Sequence, residues 1–295
     1  MKSLRLFMFF VFMALPVSVF ASGSGNSCST QFPVVLAHGM GASAEILGIV
    51  DYWWGIEDAL EDEGADVYIT SVNGMDGTAA KAESFKEQFL QILAVSGKSK
   101  ANIIGHSHGT LYTRYAISNL GIGSKVASYT GIAGPHRGSA IADMVMYGIP
   151  ESLKPAVAGS LDFIYAFVFG DTNPDTLQNG WDLTTDYMKN VFNPGTPDVA
   201  GVYYQSWAAK AKTSCPSVIL EPTWLIMLSK EGANDGLVSV ESAKWGNFRG
   251  VQDAAWYSPG CDHLNIVGQL FGVTPGFSAP EFYVGVVSDL KNRGY

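Results

Sequence analysis

The pentapeptide Gly105-His106-Ser107-His108-Gly109 places a serine between two glycines, after an apolar strand-like run, Ala101 to Ile104, and before a helix-like run opening Thr110-Leu111-Tyr112. A nucleophilic serine needs that setting. A sharp strand-to-helix turn exposes the hydroxyl, and glycines two positions away on either side let neighbouring backbone pass without a Cβ clash. Four other Gly-x-Ser triplets start at Gly25, Gly41, Gly97 and Gly276, and none has the second glycine or the strand-to-helix setting. The chemistry implied is acyl transfer through a covalent intermediate on Ser107.

A serine hydroxyl becomes a useful nucleophile only when a base takes its proton and an acid orients that base. Where such an elbow tops an α/β sheet, the chain order is serine, acid, histidine. The histidines are His38, His106, His108, His136 and His263. His106 and His108 flank the serine and cannot easily reach around to it, His38 lies upstream, and His136 leaves almost no room for an intervening acid. His263 remains as the base. Fourteen Asp and Glu residues lie between Ser107 and His263, so the acid is less constrained. Asp235 is best placed, in the turn sequence Gly232-Ala233-Asn234-Asp235-Gly236 after the apolar run Thr223 to Leu228. Asp253 and Asp262 are rivals, although Asp262 is adjacent to His263, and neighbouring side chains rarely orient one another well.

The tetrahedral intermediate carries negative charge on the former carbonyl oxygen, which two preorganised N–H donors must meet. The residue after the serine, His108, supplies one. The other is expected from His38-Gly39-Met40-Gly41, a glycine-containing loop after the strand-like Val34 to Ala37, at the amide of Met40.

These groups need a scaffold that brings distant segments to one sheet edge. Strands are expected at Pro33 to Ala37, Asp66 to Val72, Ala101 to Ile104, Val126 to Ile132, Thr223 to Leu228 and Ala254 to Tyr257. Helices are expected at Tyr52 to Glu63, Thr78 to Val95, Ser107 to Asn119, Ala140 to Tyr147 and Glu281 to Asn292. The alternation predicts an α/β fold, a mostly parallel sheet covered by helices on both faces. From Ile141 to Gly170 the chain is apolar and rich in Met, Phe and Tyr. This is either a buried helix pair or a lid over the carboxyl edge of the sheet, where open α/β folds hold ligands.

The 295 residues suit one catalytic domain. Lys2 and Arg5, the uncharged run Leu6 to Phe20 and the small residue Ala21 read as a signal peptide over 1–21, whose apolar run of about 15 residues falls short of the ~20 of a membrane span. The expected product is a soluble monomeric domain, 22–295, secreted through the periplasm. A formal net charge of −9 argues against nucleic-acid partners. In an oxidising compartment Cys215 and Cys261 are the preferred disulfide, because Cys261 lies two residues before His263 and that loop needs holding. Cys28 is then the odd thiol, and its context gives no reason to expect lipidation.

The runs Leu36 to Met40, Ile46 to Gly48 with Asp51 to Trp53, Ile104 to Gly109, Gly134 to Ser139, Tyr203 to Trp207, Ala233 to Val238 and Asp262 to Leu264 together resemble the Pseudomonas-type secreted bacterial triacylglycerol lipases of the α/β-hydrolase fold. The resemblance spans nearly the whole mature chain in the family's order. It implies Ser107, Asp235 and His263 as the triad, Met40 and His108 as oxyanion donors, and a lid within about 141–170. It also implies a structural Ca²⁺ at the histidine loop, held here by Glu221 and Asn265 with backbone oxygens of Gln269 and Val273. Asn265 stands where the family has an aspartate, which weakens the site by one charge. Val240 stands near where the family has a cysteine, so Cys215 with Cys261 would be a relocated bridge. Many members need a membrane-anchored foldase, and the resemblance implies that partner too. The expected substrate is a lipid ester at an oil-water interface. The same triad would serve a short-chain carboxylesterase or a polyester depolymerase, and the scaffold could also be a catalytically inactive binding module.

Overall fold

The computed structural model describes residues 25–39, 45–46, 50–150, 152–153, 174–252, 254–269 and 274–295. The signal-peptide segment, Met40, Asp253, Val273 and most of the 141–170 region lie outside the described residues. The described chain runs β1 (Val34–Ala37), β2 (Glu45–Ile46), β3 (Val50–Asp51), α1 (Ile56–Asp62), β4 (Val67–Thr70), α2 (Thr78–Ser96), β5 (Ala101–His106), α3 (Gly109–Asn119), β6 (Val126–Ile132), α4 (Ala140–Tyr147) and α5 (Pro174–Trp181). It continues with β7 (Tyr203–Ala211), α6 (Glu221–Lys230), β8 (Asn247–Gln252), β9 (Gly260–Cys261) and α7 (Ala279–Asn292).

The main sheet has the order β4-β1-β5-β6-β7-β8, parallel throughout, with β9 antiparallel to β7. Period-two alternation divides β1 between two apolar layers. Val34 and Leu36 face Trp53, Ile56, Tyr283, Val286 and Val287 of the layer containing α1 and α7. Val35 and Ala37 face Phe85, Phe89, Tyr112 and Ala116 of the layer containing α2 and α3. Both faces are therefore covered, which explains why β5 and β6 are buried along their whole length.

Three expectations are corrected. Thr223 to Leu228 is not a strand but the body of α6. Its buried residues Thr223, Trp224 and Met227 follow helical spacing, Leu225 and Leu228 are exposed, and Pro222 stands in the first turn, where it loses no helical bond. Ala254 to Tyr257 is a turn just beyond β8, with Trp256 90% exposed. Cys215 and Cys261 are separate buried thiols, not a bridge. Cys215 packs with Ala211, Leu220 and Trp224, whereas Cys261 on β9 packs into the layer with Trp53 and Tyr283. Among the described residues no helix is long and apolar enough to cross a membrane.

Candidate active site

The carboxyl ends of β1, β5, β6 and β7 assemble the site. Ser107 leaves β5 with φ 55°, a left-handed conformation that an L-residue adopts only where its surroundings enforce it. Its N–H donates to Ile132 O (3.0 Å), and its carbonyl accepts from Thr110 N (3.0 Å) and Thr110 Oγ1 (2.7 Å). The two flanking glycines are sterically required. A Cβ on Gly105 would lie 2.8 Å from the Gly109 carbonyl group, and one on Gly109 would collide with the Ala37 carbonyl and lie 2.7 Å from His38 O.

Asp235 and His263 meet as the residue order demanded, with His263 Nδ1 2.8 Å from Asp235 Oδ2, both side chains buried. A second bond runs from His263 N to Asp235 O (2.9 Å). The other carboxylate oxygen, Oδ1, accepts from Leu237 N (3.0 Å) and Val238 N (2.7 Å), so the carboxylate has one fixed orientation. Asp235 follows α6 rather than a strand; Ala211 N at the end of β7 donates to Asn234 O (3.0 Å), which pins the acid's loop to the sheet edge. The rival Asp262 points elsewhere. Its carboxylate accepts from Ser217 N (2.6 Å), Ser217 Oγ (3.2 Å), Leu264 N (3.0 Å) and Asn265 N (3.0 Å). Asp262 thereby ties down the histidine loop that the expected disulfide was to hold.

The His263 ring lies against His106, with centroids 4.7 Å apart, beside the elbow. Among the described residues Ser107 Oγ makes no hydrogen bond. Gly39 also abuts Ser107, since a Cβ there would lie 2.8 Å from Ser107 Cβ. Met40, the expected second oxyanion donor, lies outside the described residues. The His108 backbone N–H, the expected first donor, has no acceptor among the described residues.

Sequence reasoning missed the layer that holds these groups. Tyr52 Oη accepts from Gly39 N (2.9 Å) and is hydrogen-bonded to His106 Nδ1 (2.5 Å). His38 Nε2 accepts from Val72 N (3.0 Å), leaving Nδ1–H for Gly39 O (2.8 Å), and Tyr112 Oη donates to His38 O (2.9 Å). The loop leading to Met40 is thus anchored from three elements. The only local sequence signal was Tyr52 and His38 within apolar runs, which reads equally well as core.

These histidines are neutral. Burial, above all, lowers the pKa of His38 to about 4, and burial also pushes His106, His108 and His136 well below the ordinary value of 6.5. The unfolded chain takes up these protons near pH 6.5, whereas folded His38 does so only near pH 4, so its contribution to stability is present above pH 6.5 and is lost as pH falls to about 4. The loss is roughly 3 kcal/mol for His38 alone, and the other three act in the same sense. The melting temperature is expected to fall by about 10 °C or more between pH 7 and pH 4.5. A flat profile by scanning calorimetry would show that these rings are not held neutral.

The residues proposed for calcium fit the ion poorly. Glu221, the one carboxylate, accepts from Cys215 N (2.6 Å), and the Gln269 carbonyl accepts from Asn265 Nδ2 (2.6 Å). Gln269 Nε2 in turn donates to Asp51 O (2.6 Å) and Tyr52 O (3.2 Å). The buried oxygens left without partners, Asn265 Oδ1 and Gln269 Oε1, are neutral amides, whereas Ca²⁺ seeks six to eight oxygens, with carboxylates prominent among them. Among the described residues no three metal-ligating side chains cluster.

Comparison with known proteins accords with this geometry. Residues 33–228 match the family model described as alpha/beta hydrolase fold. The chain is 34% identical over 285 residues to a triacylglycerol lipase of Vibrio cholerae, covering 87% of this chain and 88% of that protein. It is 31% identical to a triacylglycerol lipase of Pseudarthrobacter phenanthrenivorans, covering 90% of this chain and 97% of that one. The mature form of the Bacillus licheniformis lipase BlEst2 superposes with a TM-score of 0.63 at 17% identity, over 86% of this chain and 91% of that chain. The chain belongs to the α/β-hydrolase family, among the relatives of the bacterial triacylglycerol lipases.

Proposed function

We propose that the protein is a secreted triacylglycerol lipase in which Ser107 is the nucleophile, His263 the base and Asp235 the acid that orients it. The observation that carries this reading is the Asp235–His263 pair, bonded at 2.8 Å, with the His263 ring packed on His106, the residue before a serine held at φ 55°. Asp235 Oδ2 fixes the proton of His263 on Nδ1, leaving Nε2 free to accept the Ser107 proton as Oγ attacks the acyl carbon. The oxyanion then forms between the N–H groups of His108 and Met40. His263 returns the proton to the departing alcohol, and water repeats the sequence on the acyl-enzyme, releasing the carboxylic acid and restoring Ser107. No step passes through calcium.

The substrate class is supported by the named lipases among the relatives and by apolar side chains exposed on the elements that follow the site strands. Tyr147 is 61%, Leu177 54%, Leu225 52% and Leu228 45% exposed. Secretion rests on the 1–21 segment, and protein recovered from the medium should begin near Ser22. A chain-length series of nitrophenyl esters, measured with and without an emulsion, separates this reading from a short-chain esterase. Long acyl chains with enhancement at the interface are expected; acetate preference without enhancement would reassign the protein as an esterase.

A further inference from the structure

Beneath the residue that follows the nucleophile lies a buried lysine on which the elbow motif is silent. Lys81, one turn into α2, has no exposed surface. Its ammonium donates to Gly74 O (2.8 Å) and His108 Nδ1 (2.9 Å), with a longer third contact to Asn179 Oδ1 (3.5 Å). An ammonium has three hydrogens, and here each has an acceptor. In its ammonium form Lys81 has only donors to offer, and His108 Nδ1 is then the unprotonated ring nitrogen. The His108 proton is therefore on Nε2, and it is donated to Thr78 Oγ1 (2.7 Å). Thr78 is itself fixed, through its N–H, on Asp182 Oδ2 (2.7 Å). Both ring nitrogens of His108 are thus tied to α2, and a ring held at both ends fixes the backbone that carries it.

Holding a lysine in this place is expensive. Burial lowers its pKa to about 7, opposed by the charges of Asp76 and Asp182, and the same ammonium helps keep the His108 ring neutral. A core that needed only to be filled would do better with an apolar side chain. A positive charge one side chain away from an amide that must meet a developing oxyanion has a use that an apolar residue lacks.

We propose that Lys81 is a positioning residue for the oxyanion hole: through the His108 ring it fixes the His108 backbone N–H, and its charge lies behind the site where the oxyanion forms. The proposal rests on Ser107 being the nucleophile. Because it concerns a charge that develops only as the acyl carbon becomes tetrahedral, it predicts an effect on kcat with little on KM.

The test compares Lys81→Met, Lys81→Gln and Thr78→Val on nitrophenyl butyrate, with kcat expressed per site titrated to completion by a fluorophosphonate. Lys81→Met should lower kcat about thirtyfold or more with KM within about threefold. Lys81→Gln, whose amide can still donate to His108 Nδ1 but carries no charge, should recover part of that loss. Thr78→Val, which frees the other side of the ring, should lower kcat severalfold. If neither Lys81 variant folds, Thr78→Val decides alone. Melting temperatures that fall while kcat per site stays at the wild-type value in the folded variants would overturn the proposal and leave Lys81 a structural residue. Failure of the wild type to titrate at all would instead count against the serine nucleophile, so the two readings fail separately.

Discussion

Ser107→Ala is expected to lower kcat on any ester substrate by about 10⁴- to 10⁶-fold while leaving a folded protein with near-normal substrate binding. The size follows from the covalent step: without Oγ there is no acyl-enzyme, and only the oxyanion donors and binding remain to assist water. The fold should tolerate the change. The backbone at 107 is held by Ile132 O and by Thr110, not by the serine side chain, which makes no hydrogen bond among the described residues. Alanine inherits the φ of 55° that serine already sustains. Circular dichroism and melting should match the wild type, and residual activity above about 1% of wild type would assign the nucleophile elsewhere.

The second large effect is expected for Asp235→Asn, about 10⁴-fold in kcat. Here the surroundings dictate how the new side chain must sit. Leu237 N and Val238 N both donate to Oδ1, so the amide oxygen has to take that position and the NH₂ group must replace Oδ2, facing His263 Nδ1. A donor there turns Nδ1 into an acceptor and moves the ring proton to Nε2, which then cannot accept the serine proton. The isosteric change keeps the loop in place. The variant should therefore remain folded and regain activity at alkaline pH, as hydroxide substitutes for the lost base. A loss smaller than tenfold at neutral pH would mean that another carboxylate orients His263.

The elbow was legible because its requirement is local: two glycines, a strand and a helix within about fifteen residues. His263 was legible because five histidines and a fixed order leave little choice. Asp235 does meet His263 at 2.8 Å, although the run before it, which reads as a strand, is helix α6. What places the acid is the contact of Asn234 O with Ala211 N of β7. Strand β7 itself escaped notice because its centre carries Gln205 and Ser206. Both are buried, and the structure satisfies them through Thr130 Oγ1 (3.0 Å) and the Trp245 backbone (2.8 Å for each bond), partners that no local pattern reveals. The same holds for Lys81, which meets His108 across 27 positions of sequence. Cys215 and Cys261 show the opposite error: spacing to His263 suggested a bridge, but the two side chains enter different apolar layers, and Asp262 fixes that loop instead.

The central claim, a serine nucleophile served by the Asp235–His263 pair, is tested most directly by reacting the whole protein with a fluorophosphonate and mapping the adduct by peptide mass. One adduct per chain on Ser107 is predicted, absent in Ser107→Ala and strongly slowed in Asp235→Asn. An adduct on another residue, or labelling that persists undiminished in Ser107→Ala, would contradict it.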